Sequence, residues 1–186
     1  SGGRSDLSEP SNIVSFGQLF PKGLFLSFSG FNNRLYSIPL SLLDATTMPT
    51  YTKFINWIHT NDGSPLYYAV DEALNNLNSP IIDDDVSNVT LVTFTNGLDQ
   101  GSTSMNETYE AQGAYLQALK SRIQSTTVNG RAIQAYTIGL QDEDILDREE
   151  YMSMLLSLST DQNHVLVTDQ LEQVNQHLQD IARNIY

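Results

Sequence analysis

"LVTFTNGLDQGS", residues 91–102, opens as a run of apolar and β-branched residues and closes on Asn, Gly and Asp, which a strand interior does not tolerate. A strand that is apolar at nearly every position, rather than at every second one, is the kind a parallel sheet buries on both faces. Its polar tip then lies at the carboxyl end of the strand, where open α/β sheets keep their ligands. The tip could be only a turn, since Asn96–Gly97 is a common turn pair, or its oxygens could hold a metal ion.

The flanking sequence alternates helix and strand. Upstream, Ser64 at the N-cap and Pro65 at the first helical position start a helix that aligns Leu66, Ala69, Val70, Ala73, Leu74 and Leu77 on one face. Downstream, residues 107–124 read as a helix with Tyr115, Leu116, Leu119 and Ile123 inward, and residues 131–140 as a second buried strand. A short helix at 149–159 aligns Tyr151, Met154, Leu155 and Leu158, a third strand covers 164–168, and a last helix from Asp169, its expected cap, spaces Leu171, Val174, Leu178, Ile181 and Ile185 by threes and fours. This order predicts an α/β fold with a doubly wound, mostly parallel sheet flanked by helices.

The amino-terminal part reads differently. Residues 12–20, 23–30 and 34–43 are candidate strands separated by Pro21–Lys22–Gly23 and by Gly30–Phe31–Asn32–Asn33. These connections are too short for crossover helices, so the strands are expected to be antiparallel. Helical spacing first appears at 51–60, where Phe54, Trp57 and Ile58 share a face. Residues 1–12 are Ser, Gly and charge and read as a flexible lead-in to a single domain over 13–186; such a leader fits a removed signal or lipid anchor upstream of Ser1, or simply a boundary.

Composition narrows the function. Nine Lys plus Arg against 22 Asp plus Glu give a net charge of -13, which repels nucleic acid and anionic lipid. The absence of cysteine excludes disulfides, thiolate chemistry and Cys-type metal sites. No apolar stretch approaches the roughly 20 residues a membrane span needs. His59, His164 and His177 show no spacing that suggests a metal site or a triad, and no phosphate-binding glycine loop or nucleophile elbow is present, so no catalytic residues are assigned.

Three segments together resemble the von Willebrand factor type A domains: "GSPLYYAVDEALNNL" (63–77) is similar to that family's Gly-Thr-Pro-Leu helix start, "VTLVTFTNGLDQGS" (89–102) to its strand ending in Thr-Asp-Gly-x-Asp-Asn, and "IQAYTIGLQDEDI" (133–145) to its next strand. The closing strand, acidic turn and helix from Val165 onward fit as well. The resemblance implies a metal-ion-dependent adhesion site, in which an Asp-x-Ser-x-Ser loop, a Thr and the Asp of Thr-Asp-Gly hold Mg²⁺ through oxygens. By position, its counterparts here are Ser27 and Ser29, Ser64 and Asn96, with Asp99 the nearest carboxylate along the chain; the motif is degenerate at each position. About 34 residues separate Ser29 from Ser64, too few for the family's first helix and two strands, so 23–30 fits its second strand, with 34–43 as its third, better than its first, the register in which Ser27 and Ser29 would stand at the first metal loop; under either register that loop is not intact.

The resulting expectation is a noncatalytic protein-binding, adhesion or scaffolding module in an extracellular or cell-envelope setting. It would meet protein partners at the carboxyl ends of the strands, without a cofactor or with weakly bound Mg²⁺ or Ca²⁺. Asp99 is expected to be solvated. The alternative is a metal-dependent adhesin or hydrolase completed by residues outside this chain.

Overall fold

The structure, a computed structural model, describes residues 25–31, 35–57, 64–78, 82, 86, 88–141 and 147–185. The candidate strand at 12–20, the lead-in, His59 and the loop at 142–146 lie outside the described residues.

Strands β1 (Phe25–Phe31) and β2 (Leu35–Leu42) pair antiparallel, as their short connection requires, with a bulge between Leu26 and Phe28. Helix α1 (Met48–Trp57) follows a turn in which the Asp44 carboxylate accepts from Thr46 N (2.8 Å) and Thr47 N (2.9 Å). Its Phe54 packs with Met48 and Leu43 around buried Ile38 and Tyr51, forming a small core under the hairpin. The helix thus begins one turn earlier than the spacing of Phe54 and Trp57 indicates, because the Asp44 turn initiates it.

Helix α2 (Leu66–Asn76) leads to strand β3 (Thr90–Thr95). After β3 come a single helical turn α3 (Ser102–Met105) and helix α4 (Gln112–Ser125). A two-residue-per-strand hairpin, β4 (Thr127–Val128) and β5 (Arg131–Ala132), precedes strand β6 (Gln134–Leu140). Helix α5 (Arg148–Ser157), strand β7 (Val165–Thr168) and helix α6 (Leu171–Ile185) complete the chain.

Further helix starts also differ from the sequence reading. Helix α4 starts at Gln112, not at Glu107, because Asn106 Oδ1 accepts from Thr108 N (3.2 Å) and turns the chain first. The start of α6 is held by Thr168, whose Oγ1 accepts from Gln170 N (3.0 Å) and donates to Gln173 Oε1 (2.6 Å), a role expected of Asp169. Asp147 caps α5 by accepting from Glu150 N (2.9 Å).

Strands β3, β6 and β7 form a parallel sheet in that order, with Val92 opposite Tyr136 and Ile138 opposite Leu166. Alternation sends Leu91, Ala135 and Val167 to one face, against Leu66, Val70, Leu74, Leu119, Met154 and Leu155 of α2, α4 and α5. The other face carries Phe94, Tyr136, Ile138 and Leu166 against Val174, Leu178 and Ile181 of α6. Coverage of β3 is incomplete: Val92 is 36% exposed where full burial was expected. Among the described residues the hairpin and this sheet share no strand pairing, yet α2 packs on β1, β2 and β3 alike. That helix is the bridge between the two sheets. Among the described residues, no helix is long and apolar enough to cross a membrane.

Close packing at one glycine ties α5 to the strand ends. A Cβ at Gly139 would lie 2.5 Å from Leu155 Cδ1 and 2.8 Å from Tyr151 Oη. Gly139→Ala is therefore expected to cost about 1–3 kcal/mol through overpacking. Gly113→Ala, which meets no atom within 4 Å on helix α4, is expected to hold or raise stability. Thermal melts of the two variants check the contrast.

Candidate functional site

The carboxyl end of β3 turns sharply at Thr95, whose Oγ1 donates to Gly97 O (2.9 Å). Asn96 stands exposed at the tip, and Leu98 folds back onto the core. Behind the tip the chain runs beside the start of α2. Gln100 N donates to Ser64 O (2.7 Å) and Ser64 N donates to Gln100 O (3.3 Å), an isolated antiparallel bridge.

This bridge places Asp99 under the first turn of α2. Asp99 is 5% exposed, so the expected solvated carboxylate is in fact buried. Its Oδ1 accepts from Tyr67 N (2.9 Å) and from the Ser102 hydroxyl at a very short distance, while Ser102 Oγ in turn accepts from Tyr68 N (3.0 Å). Gly101, at φ 94°, supplies the left-handed residue that brings Ser102 back toward the helix. The expected N-cap, Ser64, makes no such bond, and the residue at the cap position is Pro65 without a side-chain cap. Two side chains more than thirty residues downstream, Asp99 and Ser102, satisfy the helix instead. Sequence spacing gave no sign of Ser102, because its partners are near only in space.

Electrostatics at this point are opposed. Burial raises the Asp99 pKa above its ordinary value, against the lowering effect of the Ser102 hydroxyl and of the backbone N–H groups of Tyr67, Ser102 and Leu66. Its Oδ2 is buried with no hydrogen-bond partner. Next to it, the Tyr67 phenol is pushed up to about 12 by burial and by the charges of Asp99 and Glu150. Tyr151 Oη donates to Thr95 O (2.9 Å) and pins the strand end from the α5 side.

A second polar group flanks the site. Asp71 of α2 pairs with Arg122 of α4 at very short range and accepts from Tyr115 Oη (3.1 Å) and Asn106 Nδ2 (3.3 Å). Tyr109 stacks on Tyr115 at 4.2 Å, and Tyr67 meets Tyr115 edge-on at 5.9 Å. These contacts fix the 106–111 segment beside the tip.

Of the five residues that the family resemblance points to as a degenerate metal site, Ser64 and Asp99 are brought to the α2 start, and Asn96 is at the adjoining tip facing solvent. Ser27 Oγ donates to Ile38 O (3.0 Å), and Ser29 sits on β1 opposite Ser37. No group of three or more His, Asp or Glu side chains that could hold a metal is present among the described residues. The one carboxylate is directed at a helix N-terminus, whose partial positive charge attracts anions and repels cations. This donor set does not fit a hard divalent cation, which needs several accessible oxygens. The two described histidines are also placed structurally: His164 packs on Tyr136 at 4.4 Å and pairs with Asp161, and His177, expected on a polar helix face, points at the same tyrosine with its Nε2 buried.

No family model matches the sequence, and no curated protein does either. Solved structures do match. SpaC, a pilus adhesin from Lactobacillus rhamnosus GG, superposes with a TM-score of 0.70 at 12% identity over 96% of this chain. A von Willebrand factor type A protein from Catenulispora acidiphila superposes at 0.62 with 13% identity over 95%. The fold is von Willebrand factor type A-like. Proximal thread matrix protein 1 from the mussel byssus, in a structure with a zinc-occupied metal-ion-dependent adhesion site, matches this type A-like chain at 0.60 with 12% identity. The chain spans 27% of the SpaC chain, 40% of the byssus protein and 37% of the Catenulispora protein.

Asp99→Ala removes the acceptor of the Tyr67 N–H and of the Ser102 hydroxyl at a buried helix start and is expected to destabilise by about 1–3 kcal/mol. Asp99→Asn, which keeps an accepting oxygen without the charge, is expected to lose less. Because the folded-state pKa of Asp99 is raised, the native protein holds that proton to higher pH than the unfolded chain does. Stability from this group is then greatest below the unfolded value of 3.8 and falls as pH rises through the raised folded value. The stability of the wild type relative to Asp99→Asn is therefore expected to increase as pH falls from neutral toward 4, measured by denaturant unfolding at each pH.

Proposed function

We propose that this chain is a noncatalytic protein-binding module, adhesive or scaffolding, that meets its partner at the carboxyl ends of the strands without a divalent cation. The observation that carries the reading is the inward turn of Asp99. With the carboxylate used as a helix cap, the exposed tip presents Asn96 and Gln100, neutral side chains that can both donate and accept hydrogen bonds. A protein surface can be recognised by such groups, and Tyr151 at Thr95 and the Ser64–Gln100 bridge hold the loop that carries them.

The neighbours in fold support this direction: one is a pilus adhesin and another a byssal thread matrix protein. An extracellular or cell-surface location is proposed on the same footing, as is the loss of the metal. The competing metal-dependent version predicts binding of the cation to the native state alone, which must raise the melting temperature.

Two measurements test the proposal. Millimolar Mg²⁺ or Mn²⁺ is expected to leave the melting temperature unchanged; a clear rise would restore the metal-dependent reading. A photo-crosslinking residue at position 96 is expected to capture a protein on the surface of the producing cell, in the presence of chelator, while the same residue at position 129, in the β4–β5 turn, captures none. Equal capture at both positions, or capture abolished by chelator, would overturn the proposed face.

A further inference from the structure

Asparagine is followed by glycine twice in the chain, at 96–97 and at 129–130. A glycine in that place leaves its own backbone nitrogen unshielded and free to swing against the side-chain carbonyl of the asparagine before it. The structure treats the two pairs differently. Asn129 and Gly130 are the central residues of the β4–β5 hairpin, both left-handed at φ 52° and 75°, and the Val128–Arg131 and Thr127–Ala132 pairs close the turn around them. Asn96 and Gly97 lie in an open bend between the end of β3 and the Ser64–Gln100 bridge. Asn96 is exposed, and its side-chain amide bonds no described residue. Gly97 is not left-handed, and a Cβ built on it meets no atom within 4 Å. Among the described residues its N–H is held by one long bond, to Thr95 Oγ1 at 3.3 Å.

We propose that Asn96 is a deamidation site, at which the strand-end tip gains a carboxylate while the fold is kept. Gly97 N loses its proton and attacks Asn96 Cγ. The new C–N bond forms as the Cγ–Nδ2 bond breaks, and ammonia leaves with a proton equivalent to the one lost. Water then opens the five-membered imide at either of its carbonyls, which gives aspartate or isoaspartate at position 96. One water is consumed and one ammonia released, and no oxidant or reductant takes part.

The surroundings let the product stay folded. Tyr151 holds Thr95 from behind, Leu98 packs on the core, Asp99 caps α2 and Gln100 is bridged to Ser64, all without Asn96. The change is therefore confined to the surface. An amide that donates and accepts becomes an ionised group that only accepts, on a chain already at net charge -13. If the tip is the partner-binding face proposed above, the modification alters the recognised group itself; the chemistry of the site does not depend on that reading.

The test is peptide mapping by mass spectrometry of the whole chain, incubated in mildly alkaline buffer with and without denaturant. In the native protein Asn96 is expected to convert about tenfold faster than Asn129, and the ratio to fall toward one in denaturant, where the hairpin no longer restrains its own pair. Gly97→Ala, which has room for its methyl group, is expected to keep the melting temperature and to slow conversion at Asn96 about tenfold. Asn96→Asp, the aspartate product, is expected to melt with the wild type. The proposal is overturned if native Asn96 keeps its amide as long as Asn129 does, or if Gly97→Ala converts at the wild-type rate. It is also overturned if Asn96→Asp melts at a clearly lower temperature, since the fold then does not tolerate the product. Capture of a partner at the tip is read separately, so the failure of one proposal is distinguishable from the failure of the other.

Discussion

The carboxylate of Asp99, held against the first turn of α2, joins the parts of this molecule that sequence keeps apart. Helix starts leave backbone N–H groups without intrahelical partners, and here each is accounted for. Pro65 has none to satisfy, Leu66 N donates to Ser64 O (2.7 Å), Tyr67 N to Asp99 and Tyr68 N to Ser102. The helix so anchored packs on the β1–β2 hairpin and on β3. Fixing its start to the tip of β3 therefore fixes the hairpin relative to the parallel sheet, and it sets the height at which the tip emerges.

The same contact decides what the tip can do. A carboxylate that faces a helix N-terminus is stabilised by the partial charge there, but a cation brought to its other oxygen meets that same charge. Structural use and metal use of Asp99 are in competition, and the buried Oδ2, with no partner, shows how closed the position is. Asn96, at the exposed place, brings no charge to offset the dehydration of an ion. What is left outward is a neutral, hydrogen-bonding surface on a rigid support.

The flank of the molecule follows another logic. Helix α5 must bury one face on the sheet, where Gly139 admits Leu155 and Tyr151 at close range. On its outer side Met152 and Leu156 are 39% and 40% exposed.

The sequence by itself determined the alternation of elements, the parallel sheet and the faces that each helix buries. Leu66, Val70 and Leu74, or Tyr151, Met154 and Leu155, declare their helix and its inward side through local spacing, which burial then enforces. It also put a side chain without charge, Asn96, at the polar tip, because a charge is either in the letters or absent. Only the tertiary structure decided the rest. That Asp99 is buried, that Ser102 rather than Ser64 serves the start of α2, and that Thr168 acts where Asp169 was expected all depend on which backbone N–H groups lie within about 3 Å of which oxygens. Such distances between residues thirty positions apart are set by packing of whole elements, and no local pattern records them.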